Sequence, residues 1–292
     1  MKQRVRFQVA GETVVGELYT PAAPGPHRAV VVAGPMTSVK EQVTGVYACA
    51  LAMRGVAALS IDHRHYGESG GLPRQYEYSR HKIEDLRAAL AWLAEQPDID
   101  RDRLGLVGVC LGAGYASWAS VDEPRVKALG AVAGYYRDVA DLREKDPAGF
   151  QAKVDAGTAA RERYEATGEV LAIPAAALEG DAAMTRPDTY DYYATPRAAV
   201  PGYVNSFAVM SREHFLPFDV QAAAPRIHAP LAMVHAEQAL SPSWARKFFE
   251  AVPGKKSIEW IQSDSQVDFY DKPHLVTQAA DRLAQHLREH LG

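Results

Sequence analysis

Cys110 is the residue around which this sequence can best assemble a reaction. It stands in Gly108-Val109-Cys110-Leu111-Gly112, a thiol with a glycine two residues away on either side. Residues 104–109 form a short apolar run suited to a buried strand, and residues 111–119 read as a helix that follows almost without a loop. A nucleophile at such a junction sits in a tight, strained turn. Its neighbours two positions away must then be nearly free of side chain, so that strand and helix can approach. The helix amino terminus supplies N–H groups and partial positive charge, which predicts a stabilised thiolate. The competing reading is a buried cysteine among packing glycines, and the strand-before, helix-after placement favours the nucleophile.

A thiol that is to hydrolyse needs a base, so the histidines come next. His63 and His65 follow the apolar run 56–61, on the side of a strand where catalytic groups are usually built. His63 suits an orienting role in its loop, and His65 is the freer candidate for a base. His214, in SREHFLPF, is placed to face a pocket, whereas His274 reads as an exposed first-turn residue. His286 and His290 stand four apart on a terminal amphipathic stretch with no third ligand in view, so neither a metal nor another cofactor is expected.

These groups are positioned by a regular alternation. A hairpin spans 5–9 and 13–19, a buried strand 29–33, and a helix carries Val39, Val43, Val46, Ala50 and Met53 on one face. Ser38 and Glu41 read as its capping box and Gly55 as its left-handed end. Strand 56–61, a helix through Ile83, Leu86, Leu90 and Leu93, strand 104–109, helix 111–119 and strand 126–133 continue the pattern. The alternation predicts an α/β fold with a mainly parallel sheet covered on both faces. Residues 138–225 break the rhythm and read as a cap inserted between core segments 1–137 and 226–292. Strand 230–235, helix 242–249, strand 256–261 and a last helix then close the core.

Composition excludes several classes. The chain has 292 residues, a net charge of −4 and only two cysteines, Cys49 and Cys110. No disulfide framework, nucleic-acid partner or membrane span is expected, and a reducing cytoplasm is the natural setting. A small-molecule substrate is the expected partner, with assembly into a homodimer left open.

Several segments, in order along most of the chain, resemble a known family. PMTSVKEQ, DHRHYGESGG, LPRQYEYSRHKIEDLRAALAWL, GVCLGAGYA and YDYYATPRA are similar to stretches of the dienelactone-hydrolase-like, YcjY-type group. The resemblance implies an α/β-hydrolase fold with a helical cap, and many members also place cysteine at the elbow. It implies an oxyanion hole from the Leu111 N–H and from the loop Gly34-Pro35-Met36-Thr37, where Pro35 has no N–H and Met36 or Thr37 must donate. It also raises a glutamate near the thiol, for which Glu41 is the candidate.

The sequence departs from that pattern at two points. Members usually carry an acid after the penultimate strand and a histidine after the last one. Here the aligned positions are Leu240, in HAEQALSPSW, and Gln266, in QSDSQVDFYD. A glutamine cannot take a proton from a thiol, and a leucine cannot orient an imidazole. Glu237 could supply the acid, and His65 or His214 the base, in which case the chain is a cysteine esterase or thioesterase. Tyr135 and Tyr136 stand at the carboxyl edge of the sheet as substrate-binding candidates. The aromatics Tyr190, Tyr192, Tyr193, Tyr203, Phe207, Phe215 and Phe218 divide between pocket lining and cap packing. The leading expectation is a non-hydrolytic carbonyl transformation on an apolar or polyketide-like molecule in specialised metabolism. A ligand-binding protein without catalysis is the third reading.

Overall fold

The structure, a computed structural model, describes residues 1–292. The chain opens with the hairpin β1 (Lys2–Val9) and β2 (Glu12–Tyr19), followed by β3 (His27–Ala33). Helix α1 (Val43–Ala52) leads to β4 (Ala57–Ile61), α2 (Ser79–Ala94) to β5 (Ile99–Val109), and α3 (Leu111–Ser120) to β6 (Val126–Val132). A long excursion then carries α4 (Val139–Lys145), α5 (Pro147–Thr167), β7 (Ala172–Ile173), α6 (Pro187–Tyr193), β8 (Phe207–Ala208) and α7 (Ser211–Phe215). The alternation resumes with β9 (Leu231–His235), α8 (Pro242–Ala251) and β10 (Lys256–Trp260), and α9 (Asp268–Asp271) and α10 (Pro273–Leu291) close the chain.

Eight strands form one sheet in the order β1-β2-β4-β3-β5-β6-β9-β10, while β7 and β8 pair apart from it. Pairing is antiparallel from β1 through β4 and parallel from β4 through β10. The central strands are the all-apolar runs: Val30, Val31, Leu104, Leu106 and Val107 are fully buried, as strands covered by helices on both faces require. This is the mainly parallel α/β sheet that the spacing predicts, and the excursion leaves it between β6 and β9. No helix is long and apolar enough to cross a membrane.

Two local expectations fail, and both concern the loop before α1. Ser38 and Glu41 make no capping box: the Ser38 hydroxyl donates to the Pro35 carbonyl, and Glu41 accepts from the Lys40 ammonium at 2.6 Å. The helix starts only at Val43 and buries Val43, Tyr47 and Leu51, leaving Met53 81% exposed. The cause lies outside the segment. The Thr37 N–H donates to the Glu77 carboxylate and the Lys40 N–H to Asp62, so residues 35–42 are held as a loop by buried acids from elsewhere. Asp62 otherwise does what a strand-end acid suggests, binding the N–H groups of Lys40 and Glu68.

Candidate active site

Cys110 occupies the sharp turn between β5 and α3 with φ +55° and ψ −126°, a backbone conformation that a residue with a Cβ adopts only under strain. The flanking glycines are explained by contact. A Cβ on Gly112 would lie 2.1 Å from the Ala33 carbonyl oxygen, and one on Gly108 would lie 2.4 Å from Ala113 backbone atoms. Strand β3, strand β5 and helix α3 can converge here only without side chains at these two positions.

Cys110 opens into a cavity of about 440 Å³ beneath the excursion. Met36 and Leu111 line it on the core side, and Tyr135, Tyr193, Phe215 and Phe150 supply aromatic wall. The helix terminus does not produce a resting thiolate, contrary to expectation. Burial pushes the Cys110 thiol up, and the polar hydrogens of Tyr270, the Leu111 N–H and the Gln266 amide offset only part of that push. Alkylation therefore discriminates the two cysteines: with iodoacetamide near neutral pH, exposed Cys49 should be modified first. Cys110 should react only as the pH rises above the ordinary thiol range, which peptide mass mapping against pH will check.

Gln266 and Leu240 meet at one side of the cavity. The Leu240 N–H donates to Gln266 Oε1 at 2.8 Å, and Gln266 Nε2 donates to the Ala133 carbonyl at 2.7 Å. Nε2 also lies 3.4 Å from the Tyr270 hydroxyl oxygen. The glutamine is thus buried with its carbonyl occupied and its amide facing carbonyl and hydroxyl oxygens, and it offers no site that could accept a thiol proton. Tyr270 accepts from Gln266 and keeps its own proton free for the sulfur or a ligand. Burial and the neighbouring Cys110 raise its pKa well above the usual phenol value, so it remains a donor.

The matches to known proteins bear on the family and the fold. Residues 1–145 match the esterase FrsA-like family. Protein PA2218 of Pseudomonas aeruginosa is 31% identical over 305 residues, covering 96% of this chain and 78% of that protein. The chain belongs to the YcjY-type group of α/β hydrolases. Protein YcjY of Escherichia coli is 29% identical over 279 residues, covering 91% of this chain and 89% of YcjY. The crystal structure of PA2218 superposes with a TM-score of 0.81 at 28% identity, over 99% of this chain and 94% of that one. A shorter match, 37% identical over 121 residues, covers 41% of this chain and 37% of thiohydrolase aneE of Aspergillus aculeatus.

Several candidate residues lie elsewhere than the sequence suggests. No histidine lines the Cys110 cavity. His63 Nδ1 pairs with Asp85 at 3.2 Å inside the loop network, so His63 orients rather than titrates the thiol. His65 is held between the Pro73 carbonyl, 3.0 Å away, and His81 Nδ1, 2.8 Å away; burial and the neighbouring His81 lower its pKa to about 4. His214 packs outside the cavity against Tyr78, the rings tilted and their centroids 4.9 Å apart. Exposed Glu237 pairs with Arg246 and is no substitute acid. Glu41 faces a separate polar cleft shared with Gly67 and Glu68.

Two further corrections concern donors and walls. The Thr37 N–H is committed to Glu77 at 2.9 Å, so of the two candidates only Met36, whose N–H makes no hydrogen bond, can serve beside Leu111. Tyr136 turns into the core and stacks on Phe248 at 4.2 Å, while Tyr135 lines the cavity and stacks on Trp244. Of the excursion aromatics that the sequence singles out, Tyr193 and Phe215 reach the cavity, and Phe150 joins them there. Sequence reasoning missed three residues. Tyr270 stands one helical turn after Gln266, a spacing that could have drawn notice. Arg137 and Glu77 carry no local signal at all.

Proposed function

We propose that this α/β-hydrolase-fold protein catalyses a non-hydrolytic transformation of a carbonyl compound, with Gln266 and Leu240 replacing the base and acid of a lost triad. The carrying observation is Gln266 itself: a non-basic amide lines the Cys110 cavity, its Oε1 accepting the Leu240 N–H and its Nε2 donating to the Ala133 carbonyl. Hydrolysis through an acyl-cysteine needs a base twice, once for the thiol and once for water. Neither Gln266 nor any histidine in the cavity supplies one.

What remains suits stabilisation of negative oxygen. The Met36 and Leu111 N–H groups form the oxyanion hole, and the Tyr270 hydroxyl supplies a third donor beside the Cys110 sulfur. An alkoxide formed when a nucleophile within the substrate adds to the bound carbonyl, or an enolate whose already acidic α-proton passes to solvent hydroxide, gains from these donors without a base from the protein. Isomerisation, elimination, cyclisation and C–C bond formation all pass through such a species. The apolar walls, closed by residues 138–225 acting as a cap, select an apolar or polyketide-like molecule and exclude bulk water.

The test follows oxygen from solvent. S-octanoyl-N-acetylcysteamine and a β-keto thioester are incubated with the protein in ¹⁸O-water. Little or no enzyme-dependent ¹⁸O-labelled acid is expected, and deuterium exchange at the acidic carbon of the β-keto probe should depend on the protein. Rapid release of labelled acid from either probe would overturn the reading in favour of a thioesterase. Probe binding without exchange would assign the fold to ligand binding.

A further inference from the structure

Arg137 lies five residues beyond the end of β6 and lines the same cavity as Cys110. It is 3% exposed and enters no ion pair. Its one side-chain hydrogen bond runs from Nη2 to the Leu216 carbonyl at 2.9 Å, and its buried Nε has no partner. The guanidinium carbon lies 4.4 Å from the Phe215 ring centroid and 6.0 Å from that of Tyr135. Aromatic faces soften the loss of hydration but supply no negative charge.

The other charged groups around the cavity are accounted for. Lys145 pairs with Asp141 at 2.7 Å, and Arg186 pairs with Asp188 at 3.0 Å. Lys153 is exposed and stays hydrated. Asp146, the carboxylate on this wall, accepts the Gly149 N–H at the start of α5. Asp219 acts on Arg137 only at a distance, and it accepts the Gln221 N–H. Of the cations lining this cavity, Arg137 alone is buried without a counter-ion.

We propose that Arg137 is an anion subsite, which receives a carboxylate carried by the substrate away from the carbonyl held beside Cys110. A planar guanidinium matches a carboxylate in geometry, and in a dry aromatic pocket such a pair is far stronger than at a surface. A neutral ligand would leave the charge as poorly compensated as it is now. The subsite extends the carbonyl reading of the cavity by giving the substrate a second, charged end, yet its binding test needs no turnover.

Isothermal titration calorimetry with 6-phenylhexanoate, its methyl ester and 6-phenylhexylphosphonate provides that test, on the wild type and on Arg137→Met, Arg137→Lys and Cys110→Ala. The wild type should bind the carboxylate at least about 10-fold more tightly than the ester, one decade corresponding to 1.4 kcal/mol. Arg137→Met should abolish that preference while keeping ester binding and an undiminished Tm. Arg137→Lys should retain part of it, and provides the comparison if the Met variant fails to fold. Cys110→Ala should retain all of it, so a failed carbonyl reading and a failed subsite give different results. Equal binding of carboxylate and ester, no carboxylate binding, tighter phosphonate binding, or a preference that survives in Arg137→Met would each overturn the proposal.

Discussion

A chain carrying Gln266→His together with Leu240→Asp is expected to hydrolyse S-octanoyl-N-acetylcysteamine at least about 100-fold faster than the wild type, the low end of what a positioned general base contributes. The two loops already meet, since the Leu240 backbone donates to the residue-266 side chain at 2.8 Å. An imidazole at 266 would take over the space beside Cys110, and a carboxylate at 240 would hold its tautomer and stabilise the imidazolium. Gln266→His alone should give a smaller gain, because nothing would orient the ring. Leu240→Asp alone should give none, because no base would be added. Release of N-acetylcysteamine, followed with a thiol reagent, measures all three. A folded double variant with wild-type Tm and no gain would show that Gln266 and Leu240 do not stand in for base and acid.

Glu77→Ala is expected to remove about 3–5 kcal/mol of folding stability, the range seen when one partner of a buried ion pair is deleted. Glu77 is fully buried and accepts from the Lys82 ammonium at 2.7 Å, the Tyr66 hydroxyl at 2.8 Å, the Tyr115 hydroxyl at 2.5 Å and the Thr37 N–H at 2.9 Å. Deletion would strand Lys82, itself buried beneath the Tyr66 and Tyr115 rings. Burial pushes the Glu77 carboxyl up, but the Lys82 charge and these donors outweigh it and hold the carboxyl below the ordinary range. A carboxyl depressed in the folded state contributes stability that is complete above its unfolded value and fades as the pH falls through the folded one. The Tm gap between wild type and Glu77→Gln should therefore be widest near neutral pH and close on acidification. A constant gap from pH 7 to 4 would mean that charge is not what Glu77 contributes. Because the Thr37 N–H is one of its donors, Glu77 also fixes the loop that presents Met36 to the cavity.

Much of the scaffold was legible because its signals are local. The apolar runs of β3, β4, β5 and β6 can be satisfied only by burial on both faces, so their place in a parallel sheet follows from composition. The elbow was legible for a similar reason. The glycines at 108 and 112 report positions where an added Cβ would lie under 2.5 Å from neighbouring backbone, so that nothing larger fits. The register of α1 was not legible, because Ser38 and Glu41 fit a capping box well. The competing force came from Glu77 and Asp62, whose distance along the chain hides their claim on the Thr37 and Lys40 N–H groups.

The same division runs through the site. By itself the sequence determined that a thiol stands at a strained strand–helix turn, and that the two positions expected to serve it are glutamine and leucine. The first is a property of residue type and short spacing, and the second is what the family resemblance implies. Tertiary structure decided the rest: the thiol lies in an apolar cavity that keeps it protonated, and the histidines near it in sequence point into other networks. It also decided that Tyr270 and Arg137 face the cavity. Burial and hydrogen-bond partners set which titratable groups can act, and both arise only when distant segments close around the end of the sheet.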